Sequence, residues 1–170
     1  NRIEIIGAAL NQRLRAEGPT SRKRIGLAWR GNPAHSNDGN RSVALMQLMP
    51  LFDLPIEFIC LQRDMPVHER DLLASIPSLI SIPEALQDFA DTAALIANLD
   101  LVISVDTAIA HLAGALGSPF WLMLPFNPDW RWLLARNDSL WYPSARLFRQ
   151  SSRGDWDSVI SEIRQHLSQK

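Results

Sequence analysis

The 170-residue chain holds one cysteine, so no disulfide framework exists and a reducing compartment is favoured; the expected location is the cytoplasm. Excess charge is lacking too. Lys and Arg total 17 against 18 Asp and Glu, a formal net charge of -1, which removes any global attraction for nucleic acid or an anionic membrane. No uninterrupted apolar run approaches the length of a membrane span, and there is no internal repeat or low-complexity segment. G-x-G-x-x-G and G-x-x-x-x-G-K-[ST] are both missing, which speaks against dinucleotide-binding enzymes and P-loop NTPases. There is no G-x-S-x-G elbow for a hydrolase triad. His35, His68, His111 and His166 lie far apart with no carboxylate at ligand spacing, so no metal site and no cofactor are expected.

What remains is an ordinary globular composition, 46% hydrophobic and 21% charged, in a length that suits one domain over residues 1–170. The opening residues do not read as a signal peptide. The chain begins at Asn1 rather than Met, directly on a helical stripe (Ile3, Ile6, Ala9, Leu10, Leu14), and is expected to be a piece of a longer protein. Residues 1–20 read as a lead-in helix and linker, broken at "EGPTS". "RIGLAW" (Arg24 to Trp29) reads as a buried strand, followed by the long polar loop "RGNPAHSNDGNRS" and a helix from about Val43 to Phe52. "IEFICL" is a second strand, and Cys60 inside it reads as a small buried hydrophobe rather than a nucleophile. A helix starting at Pro66, a strand "LISI" and a helix opened by Asp88 or Asp91 come next. Leu101 to Val105 and Phe120 to Leu124 are two further buried strands, "ARLFRQ" is a sixth, and 155–168 is a closing amphipathic helix. Alternation of strand and helix predicts an α/β fold with a mainly parallel sheet and helices on both faces.

One segment carries chemistry by its position. "LDLVISVDTAIAHLAGALG" is a strand followed by a helix with the stripe Ile109, Leu112, Ala113 and Leu116, closed by Gly117 at the left-handed position and by Pro119. Asp106 falls between strand and helix, at the edge where open α/β sheets bind ligands. Asp is a good N-cap, and a cap is one reading of it. The other is an anion site made by the amides of Thr107, Ala108 and Ile109 with the positive helix end. Taken alone, the segment leaves both open. Arg30 and Arg41 bracket the polar loop as either solvated surface charge or arms reaching a diphosphate near Asp106. His111, four residues after Thr107, is equally a packed histidine or a phosphate contact. The aromatic stretch around "PDWRWLL" reads as a stacking surface or, for most of it, as the packing of a long loop, and Arg131 between Trp130 and Trp132 is the residue singled out there.

With these residues laid out, the chain resembles the C-terminal half of a GT-B glycosyltransferase. It is similar to bacterial tetratricopeptide-repeat glycosyltransferases related to the heptosyltransferases (family 9) and, more distantly, to O-linked N-acetylglucosamine transferases. The likeness rests on "GLAWRGNPAHSNDGNRS", "DFADTAALIANLDLVISVDTAIAHLAGALG" and "LPFNPDWRWLL", spaced over most of Arg24 to Gln150. It implies a Rossmann-like domain, one half of a GT-B fold, that binds a nucleoside diphosphate sugar. "SVDTAIAH" matches the family's Asp-Thr-Gly turn, so Asp106, Thr107 and Ala108 inherit the donor-diphosphate role, with Ala108 where Gly is usual. Arg41, Arg30 and Asn32 fall near the basic residue used against the phosphates, and His111 joins this set. Gln62 falls where ribose is contacted, and Leu86 to Phe89, including Asp88, where the base is held.

The resemblance further implies a metal-independent sugar transfer in which the acceptor binds largely to an N-terminal half, across a cleft, and that half supplies the catalytic base. That half is not expected in this chain, so no catalytic residue is identified here and the fragment is expected to be inactive alone. Its partners are then the nucleotide-sugar donor, the N-terminal half and possible tetratricopeptide repeats, with no nucleic acid and no membrane span. Two alternatives stand beside this reading: a nucleotide-sugar epimerase-like GT-B domain, and a non-catalytic interaction module of a tetratricopeptide-repeat protein.

Overall fold

The computed structural model of the chain describes residues 4–8, 12, 22–82 and 86–169. Residues 4–8 and 12 are helical, and the rest of the lead-in pattern lies outside the described residues. Six strands form one sheet: β1 Arg24–Ala28, β2 Glu57–Cys60, β3 Leu79–Ser81, β4 Leu101–Val105, β5 Phe120–Leu124 and β6 Ala145–Arg149. Their order is β3-β2-β1-β4-β5-β6 and every pairing is parallel. The helices are α1 Asp38–Arg41, α2 Val67–Ala74, α3 Phe89–Ile96, α4 Ala108–Ala115 and α5 Trp156–Ser168, with 3-10 turns at Leu45–Leu51 and Trp130–Trp132.

The strands are apolar nearly throughout because both faces of the sheet are covered. Alternate side chains feed two separate cores. Leu27, Ile103, Val105 and Met123 pack on one face with the Leu45–Leu51 turn and α5, whereas Ala28, Val102, Leu122 and Leu124 pack on the other with α3 and α4. The fold is therefore the α/β, Rossmann-like arrangement that the alternation of elements predicts. Cys60 is buried, and desolvation pushes its thiol up to about 12, so it is no nucleophile.

Two expectations change. The stretch predicted as an α-helix from about Val43 to Phe52 is a 3-10 helix, Leu45–Leu51. Its buried residues Leu45, Leu48 and Leu51 recur at three-residue steps, the 3-10 period, and Pro50 inside it has no amide to continue an α-helical ladder. Secondly, the long loop after β1 contains a turn of helix, α1, whose Asp38 is buried. The end of α4 is as predicted: Gly117 has φ 69°, Gly117 N donates to the Gly114 carbonyl at 3.1 Å and Ser118 N to the Ala113 carbonyl at 3.0 Å, closing a Schellman motif.

Gly114 in α4 lies under the ring of Tyr142. A Cβ there would fall 2.5 Å from ring carbons. That ring cannot swing clear, because it is wedged among His111, Phe120 and Trp132 at centroid distances of 5.8, 6.0 and 6.2 Å. Ala is the better helix former by about 1 kcal/mol, but overpacking costs about 1–3 kcal/mol. Gly114→Ala is therefore expected to lower the melting temperature by a few degrees, read by circular dichroism; a rise would show that Tyr142 yields freely.

Candidate functional site

The sheet order reverses direction between β1 and β4, and the loops that follow these two paired strands leave the same edge. A cavity of about 640 Å3 opens there, lined by Arg30, Asn32, Arg41, Gln62, Asp88, Phe89, Thr107, Ala108 and neighbours. Thus eight of the residues singled out from the sequence share one cavity. Asp106, His111 and Arg131 instead line a smaller cavity of about 370 Å3 on the far side of Thr107 and Ala108, with Arg41 common to both.

Asp106 does not cap α4. Thr107 holds the N-cap position, no side chain caps the helix, and Asp106 is 8% exposed one residue earlier. The reason is geometric: β4 ends at Val105, so the residue with cap geometry is the second one after the strand. The Asp106 carboxylate turns to His111, with Oδ1 3.6 Å from Nε2, while Nδ1 of His111 lies 3.0 Å from the Tyr142 hydroxyl. His111 also stacks on Trp132 at 5.5 Å. The amides of Thr107, Ala108 and Ile109 have no hydrogen-bond acceptor among the described residues, as expected for a first helical turn, and all three residues line the larger cavity. Ala108, where a glycine was expected, has no positive φ, so the backbone makes no demand for glycine there.

The two arginines have different fates. Arg41 reaches across the switch point: Nη1 donates to the Asp106 carbonyl at 2.8 Å, and Nε pairs with Asp38 at 3.2 Å. Its guanidinium is thereby held against the start of α4, with Gly31 beneath it because a Cβ there would lie 2.5 Å from Nη2. Arg30 is turned into a network that sequence reasoning missed. Its Nε and Nη2 each donate to Glu69 at 2.7 Å, and the buried Glu69 also accepts from Trp29 Nε1 at 2.9 Å and from the Leu45 amide at 3.0 Å. The bond to Glu69 raises the Arg30 guanidinium; burial works to raise the Glu69 carboxyl, but its four donors outweigh that and hold it below its ordinary value.

Asn32 accepts from the Ala34 amide at 2.9 Å, which shapes the loop tip. Gln62 accepts from the Trp29 and Arg30 amides at 3.2 and 3.0 Å and donates to the Asp64 carbonyl at 3.0 Å, so its carboxamide ties the exit of β1 to that of β2. Asp88 is the N-cap of α3, accepting from the Asp91 amide at 2.9 Å, while Phe89 next to it is 63% exposed at the cavity mouth. Arg131 pairs with Asp129 at 2.9 Å and lies over the Trp130 ring at 5.8 Å.

This frame has known counterparts. Residues 85–121 match the family described as Glycosyltransferase family 9 (heptosyltransferase). The matched segment runs through α3, β4 and α4 and holds the Asp106 turn. Two solved structures of the E. coli heptosyltransferase WaaC, one with ADP and one with ADP-2-deoxy-2-fluoro heptose, superpose with TM-scores of 0.62 and 0.58 at 16% identity over 93% of this chain. The chain spans 48% and 47% of those chains, so the likeness is one of fold over about half of the larger protein. Protein FlbA of Caulobacter vibrioides is 38% identical over 76 residues, covering 45% of this chain and 12% of that protein. None of the helices among the described residues is long and apolar enough to cross a membrane.

Glu69 has no local signal in the sequence; it is a helix glutamate like any other until the fold places Trp29, Arg30 and Leu45 around it. Glu69→Gln removes the charge from these bonds and is expected to cost about 1.5–3 kcal/mol. Because folding lowers the Glu69 carboxyl, its contribution is full above the ordinary carboxylate value and is lost as pH falls through the lower folded value. Urea titrations across the acid limb should therefore show a shallower loss of stability in the variant than in the wild type. Parallel acid limbs would mean that Glu69 is not depressed.

Proposed function

We propose that the chain is the donor-binding part of a glycosyltransferase that moves a sugar from a nucleoside diphosphate sugar to an acceptor, without a metal. One observation carries this reading: Arg41 is bonded to the Asp106 carbonyl next to the three amides at the start of α4 that have no acceptor among the described residues, and Arg41, Thr107 and Ala108 line both cavities. Amides at a helix end and a fixed arginine are the groups that hold a diphosphate. They also stabilise the negative charge that builds as a nucleoside diphosphate leaves an anomeric carbon, which is how a site supplies rate without Lewis-acid help. The nucleoside then occupies the larger cavity, with its base against Leu86 and Phe89 and its ribose toward Gln62, and the sugar extends past Ala108 toward Asp106 and His111. Arg30, its Nε and Nη2 occupied by Glu69, acts on the phosphates only at longer range.

The family segment and the WaaC-like fold support the class of enzyme. The reading assigns the base and the larger part of the acceptor site to an N-terminal half, with tetratricopeptide repeats as a further attachment, in a cytoplasmic protein. Asp106 in this scheme orients His111 rather than the amides.

Arg41→Ala is expected to weaken nucleoside diphosphate binding by about 1.5–3 kcal/mol, the range for hydrogen bonds to charged groups, while the matching nucleoside binds almost as before. Calorimetric titration of both ligands, with melting curves alongside, decides it. Equal loss for the two ligands would indicate a disturbed fold, and no loss for either would remove Arg41 from the site. Binding should also persist in EDTA; affinity that returns only with a divalent ion would overturn the metal-free account. The isolated chain is expected to transfer no sugar, which a turnover assay with nucleotide sugars checks.

A further inference from the structure

A third cavity, of about 370 Å3, adjoins the one beyond Ala108. It shares His111 and Arg131 with that cavity, and its remaining lining is aromatic: Trp130, Trp132, Trp141 and Tyr142. We propose that it binds one sugar ring of the acceptor. Its role as an acceptor site rests on the donor reading above; its saccharide chemistry stands on the geometry that follows.

Trp130 and Trp141 are 70% and 59% exposed, large apolar faces left in water beside a polar site. Their rings meet at 83° with centroids 6.4 Å apart, forming a corner with one face as floor and one as wall. The 3-10 turn Trp130–Trp132 sends Trp132 into the core while Trp130 stays outside. Around the corner runs a mixed polar rim. Arg131 donates, and the Tyr142 hydroxyl and His111 ring hold each other in place, while Asp129, the partner of Arg131, lines the adjoining cavity.

A pyranose ring matches both parts. Its C–H faces are apolar and pack on aromatic faces, and its hydroxyls both donate and accept around the edge. The volume is at the small end of ligand cavities and suits one ring rather than an extended chain. None of the lining residues belongs to a strand, so no open sheet edge is offered to an extended peptide. The position fits an acceptor. Through His111 and Arg131 the cavity opens toward Asp106 and Ala108, where the donor sugar lies in the proposed scheme.

The test follows the indole N–H signals of the six tryptophans by NMR while the chain is titrated with methyl hexopyranosides and, separately, with a proline-rich peptide. The expected result is saccharide-dependent shifts at Trp130 and Trp141. Trp130→Ala or Trp141→Ala should raise the saccharide dissociation constant about tenfold. Leu140→Ala, an exposed apolar residue outside the cavity, should leave it within about twofold. Nucleoside diphosphate affinity, measured by calorimetry, should be unchanged in all three variants. Absence of shifts with every saccharide overturns the proposal, as does a response to the peptide alone, which would make the patch a polypeptide-docking surface. If saccharides bind but no nucleoside diphosphate does, the donor reading fails by itself and with it the acceptor role, while the sugar site stands.

Discussion

Parallel pairing of β1 with β4 is the constraint on which the rest of this site depends. Parallel neighbours present their carboxyl ends on the same edge, so the loop after β1 and the turn after β4 must meet. Because both faces of the sheet are covered, the strands themselves are almost entirely apolar, and polar chemistry is displaced to that edge. The bond from Arg41 to the Asp106 carbonyl closes the junction, fixing a residue of the first loop onto the turn that starts α4. Pulling β4 away from β1 would separate the Arg41 guanidinium from the start of α4.

Charge at this edge is distributed by partners rather than by residue type. Arg30 and Arg41 bracket the same loop, yet the buried carboxylate of Glu69 draws Arg30 down toward α2, where it braces Trp29 and the start of the Leu45–Leu51 turn. Among the described residues Arg41 bonds to Asp38 at 3.2 Å and to one carbonyl, so its charge is less fully compensated, and it lines both cavities. A bidentate, four-donor carboxylate pair is a structural element in the same sense as a packed leucine. In the function proposed above, the amides of Thr107, Ala108 and Ile109 are the fixed dipoles that meet the diphosphate.

The similarity to the heptosyltransferase WaaC, at 16% identity, is one of fold over about half of that protein. The segment that matches the family, residues 85–121, runs from before α3 through β4 and α4 into β5 and so includes the turn between β4 and α4. The aromatic corner at Trp130 and Trp141 lies outside that matched segment.

The sequence by itself determined the elements whose signals are local. Buried strands show as short apolar runs, the end of α4 shows in Gly117 and Pro119, and the position of Asp106 follows from the change of period at Val105. Gathering of Arg41, Gln62, Phe89 and Thr107 at one cavity was legible through the resemblance, since alternating strands and helices place such loops on a common edge. Side-chain direction was not legible. Asp106 reads as a cap because Asp caps helices in general, but the exact register of strand end and helix start decides whether its carboxylate reaches the amides, and here the cap position passes to Thr107. Glu69, Tyr142 and Trp132 were likewise invisible as site-shaping residues, because each acts on residues at least 21 positions away in sequence. Tertiary structure alone decided those contacts, for a physical reason: hydrogen-bond and stacking partners are chosen by distance in space, which local periodicity does not encode.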